Sequence, residues 1–103
     1  MISFEERARV YEQAIDTYGP DAQLRMVIEE MAELTKALCK FFRGEDNLDS
    51  IAEETGDVLI MIEQLRMIFG LYDEVARSAD EKVLRLAERL GIGVFVEEDP
   101  DGE

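Results

Sequence analysis

The chain contains no histidine and a single cysteine, Cys39, among its 103 residues. Without histidine there is no Cys/His catalytic pair and no Glu-x-x-His ligand motif of the kind di-iron helical bundles use, which disfavours iron and zinc. One cysteine excludes an intrachain disulfide, and its setting among Leu38, Phe41 and Phe42 predicts a buried thiol rather than a nucleophile. Basic residues are also scarce: 11 Lys and Arg stand against 25 Asp and Glu, a formal charge of −14. That charge repels nucleic-acid backbones and anionic membranes, so neither polymeric nucleic acid nor a membrane is an expected partner. A small anion carried with metal ions stays compatible. No apolar run approaches the roughly 18 residues needed to span a bilayer, and the N-terminal stretch Met1-Ile-Ser-Phe-Glu-Glu-Arg7 does not read as a secretion signal. A cytoplasmic location is expected.

What is present is helical periodicity. Ser3 followed by Glu6 reads as a capping box, and Phe4, Ala8, Tyr11, Ile15 and Tyr18 recur at helical spacing, predicting a helix over 4–18. Gly19-Pro20 breaks it, Asp21 is placed to cap a second helix, and Gly44 stops that helix near Arg43. Residues 45–49 form a short polar connection, so the second helix and the third, over 49–69, should be antiparallel neighbours. The third is the most apolar, with Ile60 and Met67 opposite its main stripe, and should be central. Gly56 within it costs about 1 kcal/mol relative to Ala, so close packing against it is expected. Gly70 ends it, and Tyr72–Leu90 forms a fourth helix with Val75, Ala79, Val83, Leu86 and Leu90 inward. Residues 91–96 suit a short extended segment. The expected organisation is one all-α, four-helix bundle-like domain over 1–96, small enough to favour oligomers, with 97–103 as a disordered acidic tail.

Four carboxylates stand out. Glu30 and Glu33 on the second helix, and Glu54 and Asp57 on the third, are i, i+3 pairs and share a side of their helix. At about 100° per residue, Glu54 falls inside the arc of Ile51, Val58, Met61, Ile62, Leu65 and Phe69, and Asp57 lies at its edge. Glu30 flanks the stripe of Leu24, Val27, Met31, Leu34, Leu38 and Phe41, and Glu33 sits farther round. Counting outward from the loop brings the two pairs together to within two turns. Two unit charges about 4 Å apart repel by roughly 4 kcal/mol at an effective dielectric near 20, so four clustered acids call for protonation, basic partners or cations. Divalent cations are the economical answer, because Mg²⁺ and Mn²⁺ accept all-oxygen ligation. Glu29, Glu53 and Glu63 read as solvating outer faces. Lys36, Lys40 and Arg43 suit the end of the second helix dipole, and Lys40 is also a candidate phosphate contact. Lys82, Arg85 and Arg89 make a basic stripe on the fourth helix that would pair with neighbouring acids or meet phosphate oxygens. Tyr11 and Tyr18 suit core packing better than base stacking.

Glu29-Glu30-Met-Ala-Glu33 followed by Glu54-Thr-Gly-Asp57 resembles the signature of the MazG-like family of all-α nucleoside triphosphate pyrophosphohydrolases, in its compact single-domain form. The resemblance covers about residues 10–90. It implies Mg²⁺-dependent hydrolysis of a nucleoside triphosphate to its monophosphate and pyrophosphate, with Mn²⁺ as a substitute ion, in a homodimer or homotetramer. It implies Glu30, Glu33, Glu54 and Asp57 as metal ligands, Glu29 and Glu30 as candidates for water activation, and Lys82 and Arg85 as phosphate contacts, although the Asn that often accompanies them is not evident. Two other readings stand beside it. One is a non-catalytic, metal-binding helical oligomer or interaction module; the other is a related enzyme acting on another phosphoanhydride, such as a phosphoribosyl-ATP pyrophosphohydrolase.

Overall fold

The computed structural model describes residues 1–97, which form four α-helices with no strand among them: α1 (Phe4–Tyr18), α2 (Pro20–Phe42), α3 (Leu48–Phe69) and α4 (Tyr72–Leu90). No helix of the described residues is long and apolar enough to cross a membrane. The chain divides into two compact units, Met1–Gly70 and Leu71 onward. The tail expected over 97–103 falls, apart from Glu97, outside the described residues.

Each boundary has a local cause. The Ser3 hydroxyl accepts the Glu6 amide at 3.1 Å, while the Glu6 carboxylate goes to Arg9 at 2.8 Å, so only the serine half of the capping box forms. Gly19, at φ +91°, closes α1 through its N–H to Ile15 and opens α2 with Pro20 as first residue. Only glycine takes that backbone cheaply, and proline suits the first helical position because no amide partner is needed there. Asp21 therefore sits in the first turn of α2, where its charge suits the dipole, rather than at the cap. Gly44 and Gly70 end α2 and α3 at positive φ. The segment after Gly91 forms no strand, having no partner element to complete a ladder among the described residues.

In the first unit α2 and α3 make the main packing and α1 lies against both, more on α2 than on α3, so the central place expected of α3 is shared with α2. The α2–α3 pairings run antiparallel: the Gln23 amide meets Gln64, Glu30 meets Asp57, and the Asn47 side chain reaches the Ala37 carbonyl at 2.9 Å. The residues buried along α2 are Gln23, Val27 and Ala37. This line is rotated by about 60° at 100° per residue from the centre of the stripe that periodicity picks out. Met31 and Leu38 on the far side of that stripe consequently remain exposed, and Phe41, in the last turn of α2, is exposed as well. Cys39 is exposed, not buried, because it lies outside the stripe on the opposite side of α2 from the buried line.

The core is thin. Among the described residues Tyr11, Val27, Ala37, Met61 and Ala87 are the buried apolar ones, and no large side chain falls below 2% exposure. Tyr18, expected to pack inward, is 68% exposed at the end of α1. In the second unit only Ala87 is buried on α4, Val75 is half-buried, and Ala79, Val83, Leu86 and Leu90 are exposed. Nor does anything pack on Gly56, since a Cβ built there meets no atom within 4 Å.

Candidate metal centre

Glu30 from α2 and Glu54 and Asp57 from α3 converge, each half-buried, with one carboxylate oxygen apiece lying within 4.8 Å of the others. Spacing and register together produce this. The i, i+3 separation turns Glu54 and Asp57 to one side of α3, and the antiparallel pairing sets Glu30 opposite them. Glu33, the fourth expected ligand, is exposed and lies outside the three-way cluster, but its charge acts on both Glu30 and Glu54.

The electrostatics follow from the crowding. Partial burial raises the Glu30 carboxyl above its ordinary value, and the Asp57 and Glu54 charges, a hydrogen bond with Asp57 and the Glu33 charge push it the same way. Glu54 is raised by burial first and then by Asp57, Glu33 and Glu53. Every influence on these two groups raises them, and no basic side chain offsets any of it. Of the three ways to relieve an acid cluster, basic partners are thus missing for Glu30 and Glu54, which leaves protonation or a cation. The approach of Asp57 favours the protonated form of Glu30. An all-oxygen donor set without imidazole or thiolate fits a hard divalent ion such as Mg²⁺ or Mn²⁺.

Beside the cluster lies a cleft of about 410 Å³ whose wall includes Glu33 and Glu54, the ammonium-bearing Lys36 and Lys40, and Asn47 and Ser50 from the start of α3. Neither lysine forms an ion pair with a carboxylate among the described residues. Lys40 lines the same cleft as Glu33 and Glu54. Lys36 was legible as a neighbour one turn earlier, whereas Asn47 and Ser50 carry no periodic signal and were missed. Lys82 and Arg85 are exposed on α4, in the second unit. Glu29 and Glu53 are exposed on outer faces as expected, and Glu29 is not part of the cluster.

Glu63 departs from the outer-face expectation. It is half-buried and accepts a hydrogen bond from the Tyr11 hydroxyl, across α1 and α3. Its position beside Gln64 on the side of α3 that meets α1 explains this, and Tyr11, at 7% exposure, packs in the core rather than offering its ring to a base.

Comparison of the chain with protein-family models, with curated proteins and with solved structures finds no match.

Proposed function

We propose that the chain is a Mg²⁺-dependent nucleoside triphosphate pyrophosphohydrolase. The observation that carries this reading is the convergence of Glu30, Glu54 and Asp57 from two antiparallel helices, with no basic group relieving Glu30 or Glu54, next to a polar cleft bearing Lys36 and Lys40. Glu30, Glu54 and Asp57 would hold the cation, with Glu33 completing the set from the rim. When bound, the ion would supply charge neutralisation of the triphosphate and acidify water. The chain's own residues account for the rest. The ammonium groups of Lys36 and Lys40 take phosphate oxygens, and a carboxylate of the Glu29-Glu30 step would receive the proton of the attacking water. The water oxygen bonds to the α-phosphorus, the bond to the bridging α–β oxygen breaks, and pyrophosphate leaves. Lys82 and Arg85 remain phosphate-contact candidates on the residue pattern alone.

The thin core and the exposed Met31, Leu38, Phe41 and Phe42 on α2 support assembly of at least a homodimer, because contiguous apolar surface of this kind marks interfaces. The same surface also favours the second reading, a non-catalytic helical oligomer that binds metal. Turnover separates them. Pyrophosphate release from a panel of canonical and modified nucleoside triphosphates is expected with Mg²⁺, and not in excess EDTA or in Glu54→Gln. Release unaffected by EDTA, or none from any triphosphate, would overturn the enzyme reading.

A further inference from the structure

Two polar side chains lie in the α2–α3 seam where apolar ones would pack without difficulty. Gln23 and Gln64 are 8% and 4% exposed, and the Gln23 Nε2–H donates to Gln64 Oε1 at 2.6 Å. Gln23 precedes Glu30 by seven residues and Gln64 follows Asp57 by seven, so the amide pair and the acid pair are the same layer repeated two helical turns apart. Between them Val27 and Met61 are buried, and apolar ridges of this kind tolerate more than one stagger. At the loop end the Asn47 side chain, which makes no capping bond to α3, donates to the Ala37 carbonyl at 2.9 Å, and two helical turns beyond the acid pair the amide pair fixes the other end of the seam. A buried polar pair in an otherwise apolar seam is a recognised way to specify register, since any other stagger leaves two desolvated amides without partners.

We propose that the Gln23–Gln64 hydrogen bond is a register lock, holding α2 and α3 at the stagger that sets Glu30 against Asp57. Gln23 and Gln64 are thus positioning residues. The consequence for cation binding rests on the metal-centre reading, whereas the stagger itself does not.

The test uses the full chain with Cys39→Ser and spin labels at Asp21→Cys and Asp49→Cys, both exposed at the starts of α2 and α3. Pulsed electron resonance on the metal-free protein reads the stagger, Mn²⁺ titration reads the acid cluster, and urea unfolding reads stability. With native glutamines a single narrow distance is expected. Gln23→Met with Gln64→Met, which keeps side-chain volume, should broaden the distribution or add a population displaced by about 5.4 Å, one helical turn. Mn²⁺ affinity should fall at least tenfold, while the urea midpoint holds or rises because two buried polar groups are gone together. Gln64→Glu, which keeps an acceptor for Gln23, should retain the single distance. A double-Met variant with the native distance and native Mn²⁺ affinity overturns the lock, as does a Gln64→Glu variant that slips as far as the double-Met variant. If the double-Met distance broadens while the native protein binds no Mn²⁺, the lock stands and the pyrophosphohydrolase reading falls.

Discussion

Replacing Tyr11 by Phe removes the polar end of a side chain that the thin core relies on. The ring stays packed at its buried position, and only the hydroxyl that donates to Glu63 is lost. A hydrogen bond to a charged group is worth roughly 1.5–3 kcal/mol in net stability, and the lower half of that range applies because Glu63 is only half-buried. A loss of about 1.5 kcal/mol is a large share of the 5–15 kcal/mol typical of a domain, and at about 4–8 °C per kcal/mol for a domain of this size it is easily read in thermal unfolding. The cost should have a pH signature. Burial raises the Tyr11 phenol above 10.0, and the hydrogen bond to Glu63 adds to this, against a smaller opposing effect of Arg7. The folded state then holds the phenolic proton more tightly than the unfolded state. The contribution is therefore present in full below about pH 10 and is lost as pH rises through the elevated folded value. A double-mutant cycle in urea with Glu63→Gln should return a coupling of about 1 kcal/mol. A Tyr11→Phe variant within about 0.5 kcal/mol of native, with effects additive to those of Glu63→Gln, would refute the reasoning.

The raised Glu30 and Glu54 carboxyls have the same sign in a lower pH window for the metal-free protein: their folded pKa values exceed the ordinary 4.5, so stability is greatest below that value and falls as pH rises through the folded values. The stability advantage of Glu54→Gln in EDTA should thus be largest near neutrality and shrink toward pH 5, and a difference independent of pH would contradict it. Saturating Mn²⁺ should stabilise the native protein and not Glu54→Gln; equal shifts would place the ion elsewhere. Gly56→Ala should raise stability by about 0.5–1 kcal/mol, because the added methyl meets nothing in the protomer, whereas a drop in melting temperature would show that a second chain packs there. Light scattering coupled to size exclusion should give at least twice the protomer mass, reduced by Met31→Glu; a native monomer would refute association through this face.

Helix limits were legible because they are written in local chemistry. Ser3, the Gly19-Pro20 step, Gly44 and Gly70 each act on their own turn of backbone, and the observed limits fall within about a residue of those the sequence implies, except that α2 begins at Pro20, two residues before a helix capped by Asp21 would. Burial was legible only in direction. Periodicity marks a stripe without saying what covers it, which is why Cys39, Tyr18 and the α4 residues Val83, Leu86 and Leu90 are exposed against expectation. Glu63 failed the other way, since a half-buried carboxylate on α3 depends on a phenol 52 residues distant.

The candidate site shows the same division. The four acids were legible as two pairs, but which of them meet depends on the stagger of α2 against α3. Symmetric counting from residues 45–48 pivots the hairpin there. The pairings of Gln23 with Gln64 and Glu30 with Asp57 place the pivot between Arg43 and Gly44 instead, because α2 ends at Phe42 and the loop climbs to α3 with Asn47 folded back on Ala37. Glu30 consequently lies on the buried line of α2, and Glu33, about 60° away at 100° per residue, is left at the rim. Acids occupying a seam displace apolar contacts from it, and on α2 the displaced half of the stripe is Met31 and Leu38, facing outward. The rotation that assembles the carboxylates is thus the same rotation that uncovers the apolar surface. Variants that restore the stripe to the α2–α3 seam should therefore weaken metal binding and association together, and loss of one without the other would refute the link.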